Sequence, residues 1–171
     1  MTRTARFVST FFGYVFTIPF ILLVHFLRLL IGKQNAVRIT GKLVTKTAAL
    51  GMGILVPRSK AAFEFDSFKK TLKKNFFTIG PIYDLILVEE TSNRIEFKIQ
   101  YCPVASTFRN LKMGDLCKYS CAADLVVAKM NKGLWEFERS KTIGTGFDCC
   151  NHTYIKTIKK SSEKKSKPIP N

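Results

Sequence analysis

The chain has 171 residues, of which 28 are Lys or Arg and 12 are Asp or Glu, so its formal net charge is +16. That length allows one ordinary domain plus an anchor and excludes two independent cores of typical size. Because 46% of the residues are hydrophobic, the charge surrounds a real core and does not mark a disordered basic chain. A balance this basic attracts either nucleic acid phosphates or anionic lipid headgroups.

An uncharged apolar run extends from Phe7 to Leu27. A helix needs about 20 such residues to cross a bilayer, so the run predicts a single membrane span. More basic residues follow the run than precede it, which by the positive-inside rule places residues 33–171 in the cytoplasm. A buried helix and a helix lying in the membrane interface are the alternatives. The span favours anionic lipid headgroups as partners, and no sequence pattern predicts a nucleic acid partner.

Basic residues continue beyond the span. Arg38, Lys42 and Lys46 recur every four residues and form one stripe if residues 36–50 are helical. Such a stripe suits a helix that lies along anionic headgroups, although a solvated face explains it almost as well. The chain then divides into a membrane anchor at 1–32, a basic helical linker at 33–57, an α+β domain at 58–158 and a disordered basic tail at 159–171.

Periodicity predicts the elements of the domain. The first expected element is a helix that is capped by Ser59, ends at Gly80-Pro81, and has an apolar side of Ala61, Phe65, Phe68 and Leu72. A β-hairpin over 82–102, with its turn at 91–93, a loop over 103–112 and a helix over 114–130 are expected to follow. The last expected element is a second hairpin with strands at 134–143 and 149–158 around Gly144-Thr145-Gly146. The fold class is therefore α+β: an N-terminal transmembrane helix followed by a small antiparallel sheet covered by helices.

Chemistry in this sequence centres on cysteine. Five cysteines lie in the C-terminal half, and an odd number in a cytoplasmic domain predicts reduced thiols and no disulfide framework. Cys117, Cys121 and Asp124 fall on one stripe of the predicted helix. Cysteines at this spacing pack into a core more often than they react, but a carboxylate on an apolar stripe must be paired or used.

The last predicted strand separates two adjacent thiols. Cys150, His152 and Tyr154 share its core-facing side, whereas Cys149 points to the other side. His152 is either a hydrogen-bonded core histidine or part of a site. Cys102 ends the first hairpin and can reach the same end of the sheet.

Four blocks of sequence carry a resemblance to a known family. They are Tyr101-Cys102-Pro103, the pattern G-x-L-C-x3-C-x2-D from Gly114 to Asp124, the run from Glu138 to Ile143, and the pattern G-x3-C-N from Gly146 to Asn151. Over about residues 80–158 the chain resembles the L-2-amino-thiazoline-4-carboxylic acid hydrolase family. In that family the last block usually runs Gly-Asp, two variable residues, then Cys-Asp-Phe, and here Phe147, Asn151 and His152 stand in the Asp, Asp and Phe places.

The resemblance implies hydrolytic opening of a 2-amino-thiazoline ring to an N-carbamoyl-cysteine. A thiolate, or hydroxide on a metal held by thiolates, would add to the ring carbon, and a carboxyl or imidazole group would protonate the departing sulfur. The residues predicted to act in catalysis are Cys121, Cys117, Asp124, Cys150 and His152. Arg139 and Cys102 are predicted to bind substrate; the alternative for Arg139 is a surface pair with Glu136 or Glu138. Whether a metal or cofactor takes part stays open.

Two other function classes fit the same residues. The cysteines at 102, 117, 121 and 150 suit a non-catalytic module that binds a small ligand or a soft metal for sensing. A basic scaffold at the membrane surface, in which the cysteines only pack, is the third reading.

Overall fold

The computed structural model describes residues 2–57 and 64–157. The helices are α1 (Arg3–Leu55), α2 (Phe65–Tyr83), α3 (Pro103–Asn110), α4 (Cys117–Cys121) and α5 (Ala123–Met130), and the strands are β1 (Leu85–Glu90), β2 (Arg94–Ile99), β3 (Trp135–Glu138) and β4 (Cys150–Lys156). Single 3-10 turns lie at Gly114–Leu116 and Ile143–Thr145. The predicted class, a small antiparallel sheet with covering helices and a long apolar N-terminal helix, is confirmed.

The four strands form one antiparallel sheet in the order β1-β2-β4-β3. The first predicted hairpin is confirmed, since β1 pairs with β2 across the turn at residues 91–93. Register between β2 and β4 places three residue pairs opposite one another: Ile95 with Tyr154, Phe97 with His152, and Ile99 with Cys150. Because side chains alternate along a strand, Cys150, His152 and Tyr154 share one face, as the sequence predicted.

Helix α1 is not one straight rod. Gly32 has φ 76° and ψ 162°, a conformation outside the helical region that glycine adopts without a Cβ penalty. A straight helix would hold Phe12 and Met52 about 60 Å apart, yet both line one cavity. The chain therefore doubles back at Gly32, and residues 3–31 lie beside residues 33–55.

One side of the first half of α1 packs on the rest of the domain. A Cβ at Gly13 would lie 2.5 Å from the Thr107 Oγ1 atom and 2.8 Å from the Pro103 carbonyl oxygen. The Ser9 hydroxyl donates to the Ile82 carbonyl. The opposite side exposes a row of large apolar side chains: Phe7, Phe11, Val15, Ile18, Leu22, Phe26, Leu29 and Leu30. Among the described residues, α1 is the one helix that could cross a membrane by length and composition.

The second half of α1 carries the predicted basic stripe. Arg38, Lys42 and Lys46 lie in helix and are exposed. Beside this stripe the helix packs closely, because Gly41 lies against the Tyr119 ring and the Thr45 hydroxyl donates to the Tyr119 carbonyl at 2.8 Å.

Helix α2 covers the sheet, as predicted. Its buried side meets a group of large side chains from the strands, and together they form an aromatic cluster of Phe65, Phe68, Leu72, Phe76, Ile95, Phe97, Trp135 and Tyr154. The predicted cap Ser59 and the residue Ala61 lie outside the described residues, as does the predicted tail at 159–171. Gly80-Pro81 does not end the helix, which continues to Tyr83; the left-handed Asp84 (φ 48°, ψ 61°) ends it.

Two predictions between the hairpins are wrong. The expected loop at 103–112 contains α3, because Pro103 stands at the first helical position, where its missing N–H costs nothing. The expected single helix at 114–130 is a 3-10 turn followed by α4 and α5, with the break at Ala122.

The second hairpin is present without the predicted tight turn. β3 and β4 pair antiparallel, but β3 ends at Glu138, well before the expected residue 143. The Asn151 side chain accounts for this, because its Oδ1 accepts hydrogen bonds from the Ser140 and Lys141 amides at 3.1 and 2.7 Å. A side chain thus takes over part of the strand pairing, beside the Asn151 amide, which donates to the Lys141 carbonyl at 3.3 Å.

The packing of α1 predicts unequal effects of two glycine substitutions in it. Gly13→Ala should lower the free energy of unfolding of the whole domain by about 1–3 kcal/mol, because its methyl group overlaps α3. Gly51→Ala is the matched control: its Cβ meets no atom within 4 Å, so it should be neutral or stabilising by up to about 1 kcal/mol. Denaturant titration measures both, and equal unfolding curves would mean that α1 does not pack on the domain.

Candidate functional site

A cavity of about 370 Å³ lies between the two halves of α1, the end of α2 and one end of the sheet. Most of the residues predicted as a site meet there, namely Cys102, Cys121, Asp124, Cys150 and His152. They come from four elements: the start of α3, the end of α4, the start of α5 and β4. The cavity therefore brings together residues that lie far apart in the sequence.

Cys117 lies outside this cavity. It is buried in the core beside α3, where its Sγ donates to the Ala105 carbonyl at 3.6 Å. Burial raises the pKa of the Cys117 thiol to about 11. These contacts are those of a packed, protonated thiol.

Cys121 is a partly exposed thiol of the cavity, as is Cys102, whereas Cys150 is buried. Cys121 ends α4, and its Sγ packs directly against Gly144, where a Cβ would overlap the sulfur. Its carbonyl oxygen accepts a hydrogen bond from the Arg139 Nη1 atom at 2.8 Å. A thiol that combines access with a fixed backbone suits nucleophilic attack better than a fully buried one.

The other two cavity thiols, Cys150 and Cys102, have raised pKa values. The Ile143 amide donates to the Cys150 Sγ at 3.2 Å, and that thiol lies 3.6 Å from the Thr142 Oγ1 that accepts from it. Burial raises the pKa of the Cys150 thiol, and the Ile143 amide opposes that rise. Burial also raises the pKa of Cys102, and the nearby sulfurs of Cys121 and Cys150 add to the effect.

Asp124 holds the charged centre of the site. Its Oδ2 atom lies 2.5 Å from the Arg139 Nη1 atom and 3.4 Å from the His152 Nε2 atom. The alternative for Arg139, a surface pair with Glu136 or Glu138, does not form, since the guanidinium is largely buried and binds Asp124 and the Cys121 carbonyl. Sequence reasoning placed Arg139 against a substrate carboxylate, and the structure gives it an internal one.

His152 is buried beside Asp124. Burial lowers the pKa of the imidazole, an effect that Arg139 adds to and Asp124 opposes. At neutral pH the ring is therefore uncharged. Its Nδ1 atom has no hydrogen-bond partner among the described residues. With the Nε2 proton directed to Asp124, Nδ1 carries the lone pair and can act as a base.

Two parts of the site escaped the sequence analysis. One is the apolar wall of the cavity, which includes Phe12, Phe16 and Leu55 from the two halves of α1. No signal pointed to it, because it exists only after the chain folds back at Gly32. The other is Arg109, which lines a second, outer pocket of about 290 Å³ on the far side of Cys102. Arg109 lies in the segment that was predicted to be a loop.

Metal ligation finds no support in the described residues, since no group of three His, Cys, Asp or Glu side chains there is arranged to hold an ion. A comparison with protein-family models matches residues 15–154 to the L-2-amino-thiazoline-4-carboxylic acid hydrolase model. The chain belongs to this hydrolase family. The match begins inside α1, far before the four sequence blocks, so most of α1 is part of the hydrolase-family domain. Neither a curated protein nor a solved structure matches the chain.

Burial of His152 predicts a pH dependence of stability. Below the ordinary pKa of 6.5 the unfolded histidine binds a proton that the native His152 does not, so the free energy of unfolding falls as the pH falls. Replacement His152→Gln should remove this part of the dependence, and replacement of the exposed His25 by Gln should not. Thermal unfolding between pH 7 and 5 measures it; a wild-type slope retained in the His152→Gln protein contradicts the assignment.

Proposed function

We propose that the protein is a membrane-held hydrolase that acts on a small C–N or C–S heterocycle or amide through Cys121. The observation that carries the proposal is the shared cavity of Cys121 and His152, in a chain that belongs to a family of ring-opening hydrolases. His152 has an unpartnered Nδ1 atom and an orienting carboxylate. A thiol, a neutral base and a group that orients the base form the usual arrangement of covalent catalysis by cysteine.

The chemistry balances without redox change. His152 takes the Cys121 proton, and the thiolate adds to the electrophilic carbon of the ring. The bond from that carbon to ring sulfur or nitrogen breaks, and the imidazolium returns its proton to the departing atom. Water then adds to the same carbon, the bond to Cys121 breaks, and the product leaves as an amide or urea with the free thiol restored.

In this scheme Asp124 acts as a positioning residue. Its carboxylate holds the Nε2 side of the imidazole, so that Nδ1 is left for proton transfer. Arg139 fixes the carboxylate and the Cys121 carbonyl together. Cys150 and Cys102 line the same cavity, and their raised pKa values keep them as uncharged thiols. Cys117 packs in the core and lies outside the cavity.

A non-catalytic module that binds a small ligand is the second candidate. Raised pKa values at Cys102 and Cys150 favour it, because burial keeps these thiols protonated and poorly nucleophilic. A soft metal ion is less well supported than an organic ligand, given the arrangement of the donors. Turnover separates the two candidates, since a binding module would take up ligand and release it unchanged.

The cysteines predict a graded set of activities. Cys121→Ser should lower ring opening of 2-amino-thiazoline-4-carboxylate by at least about a hundredfold, because serine lacks the thiolate. Cys150→Ser should also lower it strongly, since Cys150 lines the cavity. Cys149→Ser is the matched control, because Cys149 is buried but does not line the cavity. Release of free thiol is the readout.

Folding must be checked beside activity in that series. Each variant should unfold cooperatively, with a modest loss of stability at the buried positions. Full activity in a folded Cys121→Ser protein contradicts the nucleophile assignment. Equal loss in the Cys149→Ser and Cys150→Ser proteins contradicts the assigned strand faces.

The membrane proposal rests on the exposed apolar side of α1 and on the net charge of +16. The predicted arrangement is a single span over residues 7–27 with residues 33–171 in the cytoplasm and anionic headgroups as partners. A second arrangement lays α1 in the interface. Its support is the fold-back at Gly32, which puts the exposed Lys42 and Lys46 beside the middle of the apolar run. A charge at the bilayer centre costs about 2.5–3.5 kcal/mol or more.

Alkaline carbonate extraction of cell membranes distinguishes these arrangements. A single span should stay in the membrane pellet, and a cysteine reporter after Asn171 should resist an impermeant thiol reagent in intact cells. An interfacial helix should be released by carbonate. In both arrangements Phe11→Ser combined with Phe26→Ser should weaken retention. Ile86→Ser combined with Val88→Ser is the control, because these apolar side chains are exposed on β1; equal weakening by both pairs contradicts a role for α1.

Lipid specificity has its own test on the full chain. Binding to anionic vesicles should exceed binding to neutral vesicles, because each basic residue near an anionic surface contributes roughly 1 kcal/mol of binding free energy. This preference should fall as the salt concentration rises. Arg38→Ala with Lys42→Ala should reduce the difference between the vesicles. Identical binding to both vesicle types would remove the electrostatic partner.

A further inference from the structure

The cavity has one polar end, and most of its remaining wall is apolar. Cys121, Asp124 and His152 mark the polar end. Three helical segments supply most of the apolar wall: Phe12 and Phe16 from the first half of α1, Ala48, Met52, Ile54 and Leu55 from its second half, and Phe76, Ile79 and Ile82 from α2. A site lined in this way binds a ligand that has a small polar head and an apolar body.

The size of the apolar part decides what fills it. An amino-thiazoline carboxylate is small and polar, and it would occupy the polar end alone. The wall beyond would then face water, although transfer of apolar surface out of water is favourable by about 25 cal/mol per Å². An apolar arm on the substrate recovers that free energy, which the family substrate cannot do.

The charged groups around the cavity also argue against the family substrate. Among the described residues, no lysine or arginine lines it, and its one acid, Asp124, is paired with Arg139. A substrate carboxylate would therefore meet no free cation and would lie near a carboxylate. Arg109, the cation on the far side of Cys102, lines the outer pocket and donates to the Ile143 carbonyl. The cavity thus favours a head that is neutral or cationic.

The mouth of the cavity lies on an apolar surface. Ile54 lines the cavity and is 80% exposed, and Phe12 lines it and is 37% exposed. These residues continue into the exposed apolar side of α1 that includes Phe11 and Val15. An apolar arm can pass between this surface and the cavity without crossing a charged rim.

We propose that the substrate of this site is an amphiphile: an amide or amidine head without a carboxylate, joined to an apolar arm that fills the space between α1 and α2. This rests on the proposed function for the identity of the reacting head, but the arm is argued from the cavity wall alone. The arm belongs either to a membrane lipid or to a smaller soluble molecule, and the chemistry of recognition is the same for both.

The test uses the full chain in lipid nanodiscs of phosphatidylcholine and phosphatidylglycerol. The probes are 2-amino-thiazolines that carry ethyl, butyl or hexyl arms, with 2-amino-thiazoline-4-carboxylate as the charged comparison. Calorimetric affinity should rise by up to about fourfold per methylene. The carboxylate should bind more weakly than the hexyl compound. Affinity that is independent of arm length, or tightest for the carboxylate, overturns the proposal.

A matched pair of variants distinguishes binding in the cavity from partition of the probes into lipid. Gly51→Phe places a ring at the cavity wall, where a Cβ meets no atom within 4 Å. It should reduce hexyl binding to the level of ethyl binding. Leu50→Phe puts the same ring at the neighbouring exposed position, which does not line the cavity, and should change nothing. If Gly51→Phe fails to fold, Gly51→Leu and the arm-length series in the wild type still decide the question.

Two further measurements identify the source of the arm and separate this proposal from the enzyme proposal. A hexadecyl probe resident in the nanodisc should bind if the substrate is a membrane lipid, whereas binding of the hexyl probe alone indicates a soluble amphiphile; binding of neither overturns the inference. Binding is also measured in the Cys121→Ser protein. Arm-dependent binding without turnover in the wild type contradicts the enzyme proposal only, and turnover without arm dependence contradicts the amphiphile only.

Discussion

The buried ion pair of Asp124 and Arg139 fixes the arrangement of the site. Their side chains are only 11% and 9% exposed, and removal of one partner from such a pair costs about 3–5 kcal/mol because a charge is left uncompensated. The same guanidinium binds the Cys121 carbonyl, and the same carboxylate oxygen faces His152. One pair therefore ties α4, α5 and the segment after β3 to strand β4, and the thiol and the imidazole keep their positions through it.

The fold-back of α1 at Gly32 gives that site its surroundings. Without it, the apolar run at the N-terminus would be a separate anchor and the polar end of the cavity would open to water. With it, Phe16 and Leu55 from the two halves of α1 line the same cavity, and a low-dielectric wall surrounds the candidate reactive groups. Electrostatic interactions strengthen in such surroundings. The extent of the family match, which begins at residue 15, agrees with this role of α1 as part of the domain.

Local patterns predicted most of the sheet and much of the site. The alternation of side chains along a strand predicted that Cys150 and His152 share a face, because successive side chains on a strand point to opposite faces of the sheet. The sequence could not reveal which carboxylate Arg139 binds, since that contact forms between elements placed by packing. A loop was predicted over 103–112, where α3 forms, because proline is typical of loops and also of the first position of a helix. Cys117 shared the helical spacing of Cys121 but follows a 3-10 turn and enters the core.

Burial governs the charge state of the base, and Arg139 adds to its effect. Asp124 alone would favour the imidazolium form of His152 and so occupy the lone pair that proton transfer requires. Burial, and to a smaller extent the guanidinium, act in the opposite direction and lower the pKa of the ring. Once the imidazole accepts a proton from a thiol, the carboxylate at 3.4 Å stabilises the new cation, and the thiolate lies in the same cavity. In the proposed mechanism the resting site is thus neutral at His152, and the charge separation that covalent chemistry needs arises only as the reaction begins, in a cavity that the proposed apolar arm would keep free of water.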